Sequence, residues 1–214
     1  MANRSYLYST HCLPGEEGCE TAARIGLSEW AYDIPLVYKL LVSGHPRVCP
    51  SSIWESDEDI AIAGDYAEGV ARLKRFLARI DVPSAQPVIQ ETLAFLDDPG
   101  NVSTWIVLES REIFEMQGDD LGAQNQDLLV EIADAGAEEE DVIAALHAPA
   151  TEPHGLLGKL FGPSHDDLSG DLHPEVLDDI GLGAWSNDLY FDLSLTAELP
   201  GDDGLRSGPL REIG

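Results

Sequence analysis

The chain has 214 residues, of which 43% are hydrophobic, and its formal net charge at pH 7 is −28. That composition can supply a folded core in one domain, while the charge repels nucleic-acid backbones and anionic membranes and attracts basic surfaces. No apolar run approaches the roughly 18 residues of a membrane span, and the N-terminal residues lack the apolar segment of a signal peptide. We therefore expect a cytoplasmic protein that contacts neither membranes nor nucleic acids directly.

The negative charge is unevenly distributed along the chain. Residues 1–111 hold 16 acidic and nine basic side chains, whereas residues 112–214 hold 24 acidic and three basic ones. A proteome-wide acidic bias, as in salt-adapted organisms, is the alternative explanation for the excess. Such a bias would acidify both halves alike, so the asymmetry favours a functional origin.

The first predicted elements are a strand, a loop and a helix. Residues 4–9 alternate with a period of two and contain two tyrosines, which is typical of a strand. Residues 11–28 are rich in glycine and polar side chains and are interpreted as a loop with one short helical turn. Asp33 is placed to cap a helix that runs through Leu41 and ends at Gly44.

Two further helices and a buried strand follow. Apolar residues recur at helical spacing over 66–80, and Ser84 begins another helix that stops before Asp98. Residues 103–109 form a nearly continuous β-branched and aromatic run, which indicates a central strand. Residues 110–116 either extend this strand or form a second one, and the pattern leaves both alternatives open.

The acidic half begins with two more predicted helices. Asp119 or Asp120 can cap the first, which ends near Gly136, and residues 138–147 form the second. Acidic residues at both helix starts suit the helix dipole.

The remaining residues contain one strand pattern. Residues 148–183 are interpreted as a long connection with short helical turns, and residues 185–195 alternate like an amphipathic strand that returns to the sheet. Residues 200–214 are rich in glycine, aspartate and proline and are interpreted as a flexible tail. We therefore expect a single α+β domain over 1–199, in which 117–199 is the acidic part.

The predicted architecture is a small mixed or antiparallel sheet covered by about five helices. The strands at 4–9, 103–109 and 185–195 would form that sheet.

The three cysteines all lie in the first quarter of the chain. Cys12, Cys19 and Cys49 are an odd number, and their positions favour free thiols over a disulfide framework. Together with His11 they could in principle hold zinc, but the short C-x-x-C hairpin of most zinc sites is absent. No metal or other cofactor is expected, since a phosphate-binding glycine loop and a G-x-S-x-G nucleophile motif are also absent.

Three glutamates are the candidates for acid–base chemistry. Glu109 ends the predicted central strand, and Glu112 and Glu115 follow it three residues apart. Sites tend to gather at strand ends in α/β proteins, but carboxylates occur close together by chance in a chain with 40 acids.

Aromatic and acidic residues supply the candidates for partner binding. Trp30, Tyr32 and Trp54 lie beside acidic residues and flank the first predicted helix, although packing in the core is the simpler interpretation of both tryptophans. Paired aspartates in the acidic half would add charge to a contact surface: Asp166, Asp167, Asp178 and Asp179.

Several phrases of the sequence are similar to a known family. They include MANRSYLY at 1–8, GLSEWAYDIPLVYKLLVS at 26–43, SSIW at 51–54 and WIVLE at 105–109. Over about the first 116 residues the chain resembles a family of uncharacterised bacterial proteins. The resemblance implies a compact bacterial protein and brings no activity with it.

The sequence favours a binding protein over an enzyme. Its acidic surface would engage a basic protein partner, as an immunity or antitoxin-like inhibitor does, through charge-steered docking. The alternatives are a small-molecule enzyme that uses the carboxylates near Glu109 and an acidic mimic of nucleic acid. Nothing in the sequence fixes the oligomeric state.

Overall fold

A computed structural model describes residues 2–19, 21–118, 120–147 and 173–191 of the chain. Within these residues it contains one antiparallel sheet and seven α-helices. This confirms the predicted α+β class. No helix in the described ranges is long and apolar enough to cross a membrane.

The sheet has five strands in the order β2-β1-β5-β4-β3, and every neighbouring pair is antiparallel. The strands are β1 (Arg4–Thr10), β2 (Arg24–Ala31), β3 (Arg47–Cys49), β4 (Ala61–Asp65) and β5 (Trp105–Glu109). The predicted strands at 4–9 and 103–109 are thus β1 and β5, which pair at the centre of the sheet.

The helices are α1 (Leu36–Val42), α2 (Tyr66–Leu77), α3 (Gln86–Leu96), α4 (Arg111–Phe114), α5 (Leu121–Asp134), α6 (Gly136–His147) and α7 (His173–Asp179). The predictions of α2, α3, α5 and α6 are confirmed within a few residues. Asp120 caps α5, since its carboxylate accepts a hydrogen bond from the backbone N–H of Ala123 at 3.0 Å.

The two faces of the sheet bury different sets of side chains because side chains alternate along each strand. Leu7 of β1 and Leu108 of β5 point into the main core, to which all seven described helices contribute. Tyr6 and Tyr8 of β1 point to the opposite face, which is covered by loops. The side chains on that second face therefore pack mainly on loop residues.

Helices α1 and α2 cross closely enough to require glycine. A β-carbon at Gly69 would lie 1.8 Å from the carbonyl oxygen of Leu41, so no other residue fits at this crossing. The contact fixes α2 against α1 on the helix-covered face.

An aromatic cluster closes the loop-covered face. The ring of Trp54 lies 5.9 Å from that of Tyr6 and 5.8 Å from that of Phe191, measured between ring centroids. Aromatic pairs at such distances favour tilted arrangements, and both pairs are tilted here.

Three strands differ from the sequence prediction. Residues 24–28 were assigned to a loop but begin β2, and the short strands β3 and β4 were not predicted. β3 has only three residues, too few to show a period of two.

The predictions for the segment after β5 and for residues 185–195 also differ from the structure. Residues 111–114 form the helical turn α4 and not a strand. In the second segment only Trp185 pairs with the sheet, through an isolated bridge to Ser28, and 192–195 lie outside the described residues.

Other predictions are changed in detail or lie outside the described part. Helix α1 begins after Pro35, and the Asp33 carboxylate accepts from the N–H of Ile34 instead of capping the helix. The connection predicted at 148–183 contains α7. Residues 148–172 and the predicted tail at 200–214 lie outside the described residues.

Candidate functional site

Glu109 is the last residue of β5 and is fully buried on the loop-covered face of the sheet. It lies directly between Tyr6 of β1 and Ala61 of β4 in the register of the sheet. The sequence prediction that an acidic side chain ends the central strand is therefore confirmed.

The two carboxyl oxygens of Glu109 have different surroundings. Oε1 accepts a hydrogen bond from the backbone N–H of Ser52 at 2.9 Å and lies 3.5 Å from the hydroxyl of Tyr8. The Tyr8 hydroxyl is in turn hydrogen-bonded to the hydroxyl of Ser52. Oε2 is buried and accepts no hydrogen bond from any of the residues that the structure describes. A buried polar atom without a partner is costly and calls for an explanation.

Burial raises the pKa of Glu109 to about 7, against its usual value near 4.5, while hydrogen bonds from Ser52, Ser51 and Tyr8 and the charge of Arg24 act in the opposite direction. Desolvation wins because the carboxylate is completely enclosed. Glu109 is therefore partly protonated at neutral pH, and a protonated Oε2 removes one unpaired charge from the interior.

Cys49 lies near Glu109 and is not a reactive thiol. It is buried at the end of β3 and forms no disulfide. Burial and the charge of Glu109 raise the pKa of Cys49 far above its usual range. Since the thiolate is the nucleophile, a thiol held in this way is inert.

The structure does not bring the three candidate glutamates into one cluster. Glu112 accepts from the backbone N–H of Arg4 at 2.8 Å and from the hydroxyl of Tyr6 at 3.2 Å. Glu115 is exposed and pairs with Arg111 at 2.8 Å. Glu112 thus fastens the start of β1, Glu115 belongs to the surface, and only Glu109 is enclosed.

The aromatic candidates lie on different faces of the sheet. Trp30 is half-buried and packs on the helix-side core, whereas Trp54 packs on the loop-covered face with Tyr6. Tyr32 is 60% exposed and has a positive φ of 66°. The three residues do not form one aromatic patch.

The acidic candidates are only partly described. Asp178 and Asp179 are exposed in α7, and Asp166 and Asp167 lie outside the described residues.

A cavity of about 300 Å³ lies beside the Glu109 network, lined by Tyr8, Thr10, Cys12, Pro14, Gly15, Glu16, Cys19, Ala22, Arg24, Pro50, Ser51 and Ser52. Cys12 and Cys19 form a disulfide in its wall. This corrects the expectation of free thiols for these two cysteines, since the loop between them folds back and brings their Cα atoms to 5.4 Å. None of Glu109, Glu112 and Glu115 lines the cavity.

No metal site is present among the described residues. They contain no group of three or more histidine, cysteine, aspartate or glutamate side chains that could hold an ion. Both sulfurs of the Cys12–Cys19 disulfide are also unavailable as thiolate ligands.

Several acidic side chains of helix α6 form ion pairs with basic residues of the same chain. Glu138 pairs with Lys39 of α1 at 3.0 Å, Glu139 with Arg72 of α2 at 3.2 Å, and Glu140 with Arg79 at 2.8 Å. Two basic side chains on or just after α2, those of Arg72 and Arg79, are therefore paired with acids from the second half of the chain.

The outer face of α5 retains unpaired negative charge. Asp127 and Asp134 are exposed, seven residues apart, and make no ion pair with the residues that the structure describes, and residues at this spacing share a helix face. Val130 lies between them and is 62% exposed, with Glu131 beside it. We call Asp127, Val130, Glu131 and Asp134 the acidic face.

Sequence reasoning missed the residues that surround Glu109. Tyr8 appeared only as part of a strand pattern, and Arg24 and Ser52 lie in segments interpreted as loops or left unassigned. The one available signal was an acid directly after a continuous apolar run, which predicts a buried carboxylate that needs polar neighbours.

The model of a family described as a domain of unknown function (DUF7822) matches residues 11–149. That range includes β2 to β5, helices α1 to α6 and the disulfide, and it excludes β1 and the N-terminal motif. No curated protein and no solved structure matches the chain.

Proposed function

We propose that this chain, which belongs to the DUF7822 family, is a binding protein whose acidic face engages a basic protein partner. The observation that carries the proposal is the acidic face of α5, in which an exposed valine lies between Asp127 and Asp134, two carboxylates without an ion pair among the described residues. An immunity or antitoxin-like inhibitor of a basic bacterial protein is the specific role that we propose, because inhibition needs only tight docking.

The stretch of sequence that contains the acidic face carries charge of one sign. The sequence contains no lysine or arginine between Arg111 and Lys159. Within α6, the acids that face α1 and α2 are neutralised by Lys39, Arg72 and Arg79. On α5, the carboxylates of Asp127 and Asp134 make no ion pair with any described residue and remain available to an external cation.

The arrangement of the acidic face suits a protein partner better than a small ion. Protein interfaces combine an apolar centre with a polar rim, and Val130 has Asp127 and Asp134 on either side along α5. Charged rim residues steer association and raise its rate more than they raise the final affinity. A partner with a complementary basic rim and an apolar contact for Val130 would fit this face.

The geometry gives less support to an enzyme. Glu109 is enclosed, Glu112 is engaged with the start of β1, and Glu115 is paired at the surface, so no two of these three carboxyl groups flank one substrate position. Acid–base catalysis needs groups within hydrogen-bond reach of the substrate.

Affinity capture with purified full-length protein tests the proposal. Bait protein is incubated with lysate of the source organism at about 0.05 M and about 0.5 M sodium chloride, since screening weakens charge-steered contacts. A protein of basic isoelectric point recovered at low salt is then purified and its dissociation constant is measured directly. The proposal fails when no basic protein is recovered, or when the purified candidate does not bind.

Matched variants assign the contact to the acidic face. Asp127→Asn with Asp134→Asn removes two charges from the acidic face, and Asp81→Asn with Glu91→Gln removes two exposed charges elsewhere that have no ion pair within the described ranges. The first pair is expected to weaken binding at least about tenfold at low salt, and the second pair to leave it nearly unchanged. Equal effects of the two pairs would reject this face.

A further inference from the structure

The cavity beside the Cys12–Cys19 disulfide has the properties of a small-molecule site that is separate from the acidic face. Its volume of about 300 Å³ lies at the lower end of the range of small-molecule pockets. Pro14, Ala22 and Pro50 supply apolar wall, while Tyr8 and Ser52 supply hydroxyl groups. Such sites usually combine apolar walls with a few fixed polar groups.

Arg24 is the notable group in this cavity. The chain has 40 acidic residues. Six of the described lysines and arginines have a carboxylate within 4 Å, whereas Arg24 has none among the described residues. Among the residues that the structure describes, its one hydrogen bond runs from Nη1 to the carbonyl oxygen of Ser52 at 2.5 Å. The guanidinium is half-buried. Its remaining N–H donors are therefore free to bind an anionic group.

The hydrogen bond to Ser52 also orients Arg24. A guanidinium fixed through one nitrogen presents its other donors in a rigid fork, and this fork matches a carboxylate or a phosphate. The loop that carries Ser52 is itself held by Glu109, through the bond from the Ser52 N–H. Glu109 thereby acts on the cavity as a positioning residue without lining it.

Glu16 determines which anion suits the site. It lines the same cavity, it is exposed, and its carboxylate makes no ion pair within the described ranges. Together with the net charge of −28, it repels a phosphate dianion, because the summed field of a protein acts on a ligand before contact. A molecule with one carboxylate and one ammonium group avoids this repulsion and gains a partner for each charge.

We propose that this cavity binds a small zwitterionic amino acid, with its carboxylate on Arg24, its ammonium group directed to Glu16, and its side chain against Pro14, Ala22 and Pro50.

The experiment uses the oxidised full-length protein and the standard L-amino acids as probes, each presented singly up to millimolar concentration. Isothermal titration calorimetry measures the dissociation constants. The best probe is then compared with its N-acetyl and carboxamide derivatives, which lack the ammonium and the carboxylate respectively. Both derivatives are expected to bind at least tenfold more weakly than the parent, and inorganic phosphate not to compete.

Three variants locate the binding. Arg24→Met and Glu16→Gln are each expected to weaken the best probe at least tenfold, and Arg75→Met, an exposed arginine of α2 without an ion pair, to have no effect. Because Arg24→Met also removes the bond to Ser52, Glu16→Gln decides the outcome when the first variant fails to fold. Absence of binding by every amino acid, equal binding of the derivatives, competition by phosphate, or binding that survives Glu16→Gln would each overturn the proposal.

Discussion

Glu109 and Ser52 are joined by a 2.9 Å hydrogen bond in which the backbone N–H of Ser52 donates to Oε1 of the buried carboxyl group. This bond ties the loop after β3 to the end of β5. Because Ser52 also accepts a hydrogen bond from Arg24 through its carbonyl oxygen, one loop residue connects the interior acid to the wall of the cavity.

The stability of the protein should depend on the ionisation of Glu109. Burial raises the pKa of Glu109 in the folded state to about 7 from about 4.5. The folded state therefore holds this proton more tightly than the unfolded state. Enclosing the charged carboxylate lowers the free energy of unfolding. This loss is absent below about pH 4.5, grows as the pH rises to about 7, and reaches about 3 kcal/mol.

Glu109→Gln isolates this contribution, since the amide cannot ionise and its oxygen can still accept from Ser52. Urea unfolding is measured for both proteins between about pH 4.5 and pH 8. We expect wild type to lose stability relative to the variant as the pH rises through this range. Glu91→Gln, an exposed acid of α3, should show no such trend. A constant difference between wild type and Glu109→Gln across the range would contradict the assigned pKa.

The close crossing of α1 and α2 predicts opposite effects of one substitution at two glycines. Gly69→Ala would place a β-carbon 1.8 Å from the carbonyl oxygen of Leu41, and we expect a loss of about 3 kcal/mol in the free energy of unfolding. Gly136→Ala meets nothing within 4 Å and should raise stability by about 0.5–1 kcal/mol, since alanine favours a helix over glycine. Chemical denaturation measures both changes. Similar stability of the two variants would show that the helices do not cross as described.

The disulfide should be detectable by thiol counting and by its effect on stability. Unfolded, unreduced protein should show one free thiol per chain, that of Cys49, and reduced protein should show three. Closing a loop between residues seven apart restricts the unfolded chain and stabilises the protein by about 2 kcal/mol. Reduction of the disulfide should lower the free energy of unfolding of the wild type by that amount. The same treatment should not change the free energy of unfolding of the double variant Cys12→Ser, Cys19→Ser. Three free thiols before reduction would refute the pairing.

The ion pairs of Lys39 should make α1 and the helices α5 and α6 contribute jointly to the free energy of unfolding. Its ammonium lies 3.0 Å from Glu138 and 3.5 Å from Glu131, and its side chain is only 15% exposed. Burial lowers the pKa of Lys39, but its contacts with Glu138 and Glu131 outweigh this effect and raise the pKa above its usual value. A double-mutant cycle of Lys39→Met and Glu138→Gln is expected to give a coupling of about 1 kcal/mol.

A second cycle serves as the control for Lys39. Lys74 and Asp97 lie 2.7 Å apart but are 41% and 56% exposed, so solvent screens their attraction and the coupling should be smaller. A Lys39–Glu138 coupling no larger than that of the exposed pair would contradict the described packing of α6.

The sequence was informative where a periodic pattern was long or a local signal was strong. Strand β5 is a continuous β-branched and aromatic run, and α2 repeats its apolar residues over three turns, so both were predicted close to their bounds. Asp119 or Asp120 was predicted as the cap of α5 because acidic side chains at a helix start satisfy free backbone N–H groups, and the structure shows that Asp120 is the cap. The class of fold follows from these elements.

The remaining elements depend on contacts between distant residues. Strand β3 has three residues and exists because Val48 pairs with Ile62 across the sheet. The Glu109 site could not be predicted, since Ser52 lies 57 positions before Glu109 and no local pattern connects the two. Helix α6 was predicted, but its pairing with Lys39, Arg72 and Arg79 was not, so part of the acidic excess is used in ion pairs within the chain.

The most direct test of the central claim is the association rate constant between this protein and its purified basic partner, measured by stopped flow at low ionic strength. Asp127→Asn with Asp134→Asn is expected to slow association at least about threefold relative to wild type, and the difference should vanish at high salt. Asp81→Asn with Glu91→Gln should leave the rate nearly unchanged. Equal rates for the two double variants would contradict the assignment of partner binding to the acidic face.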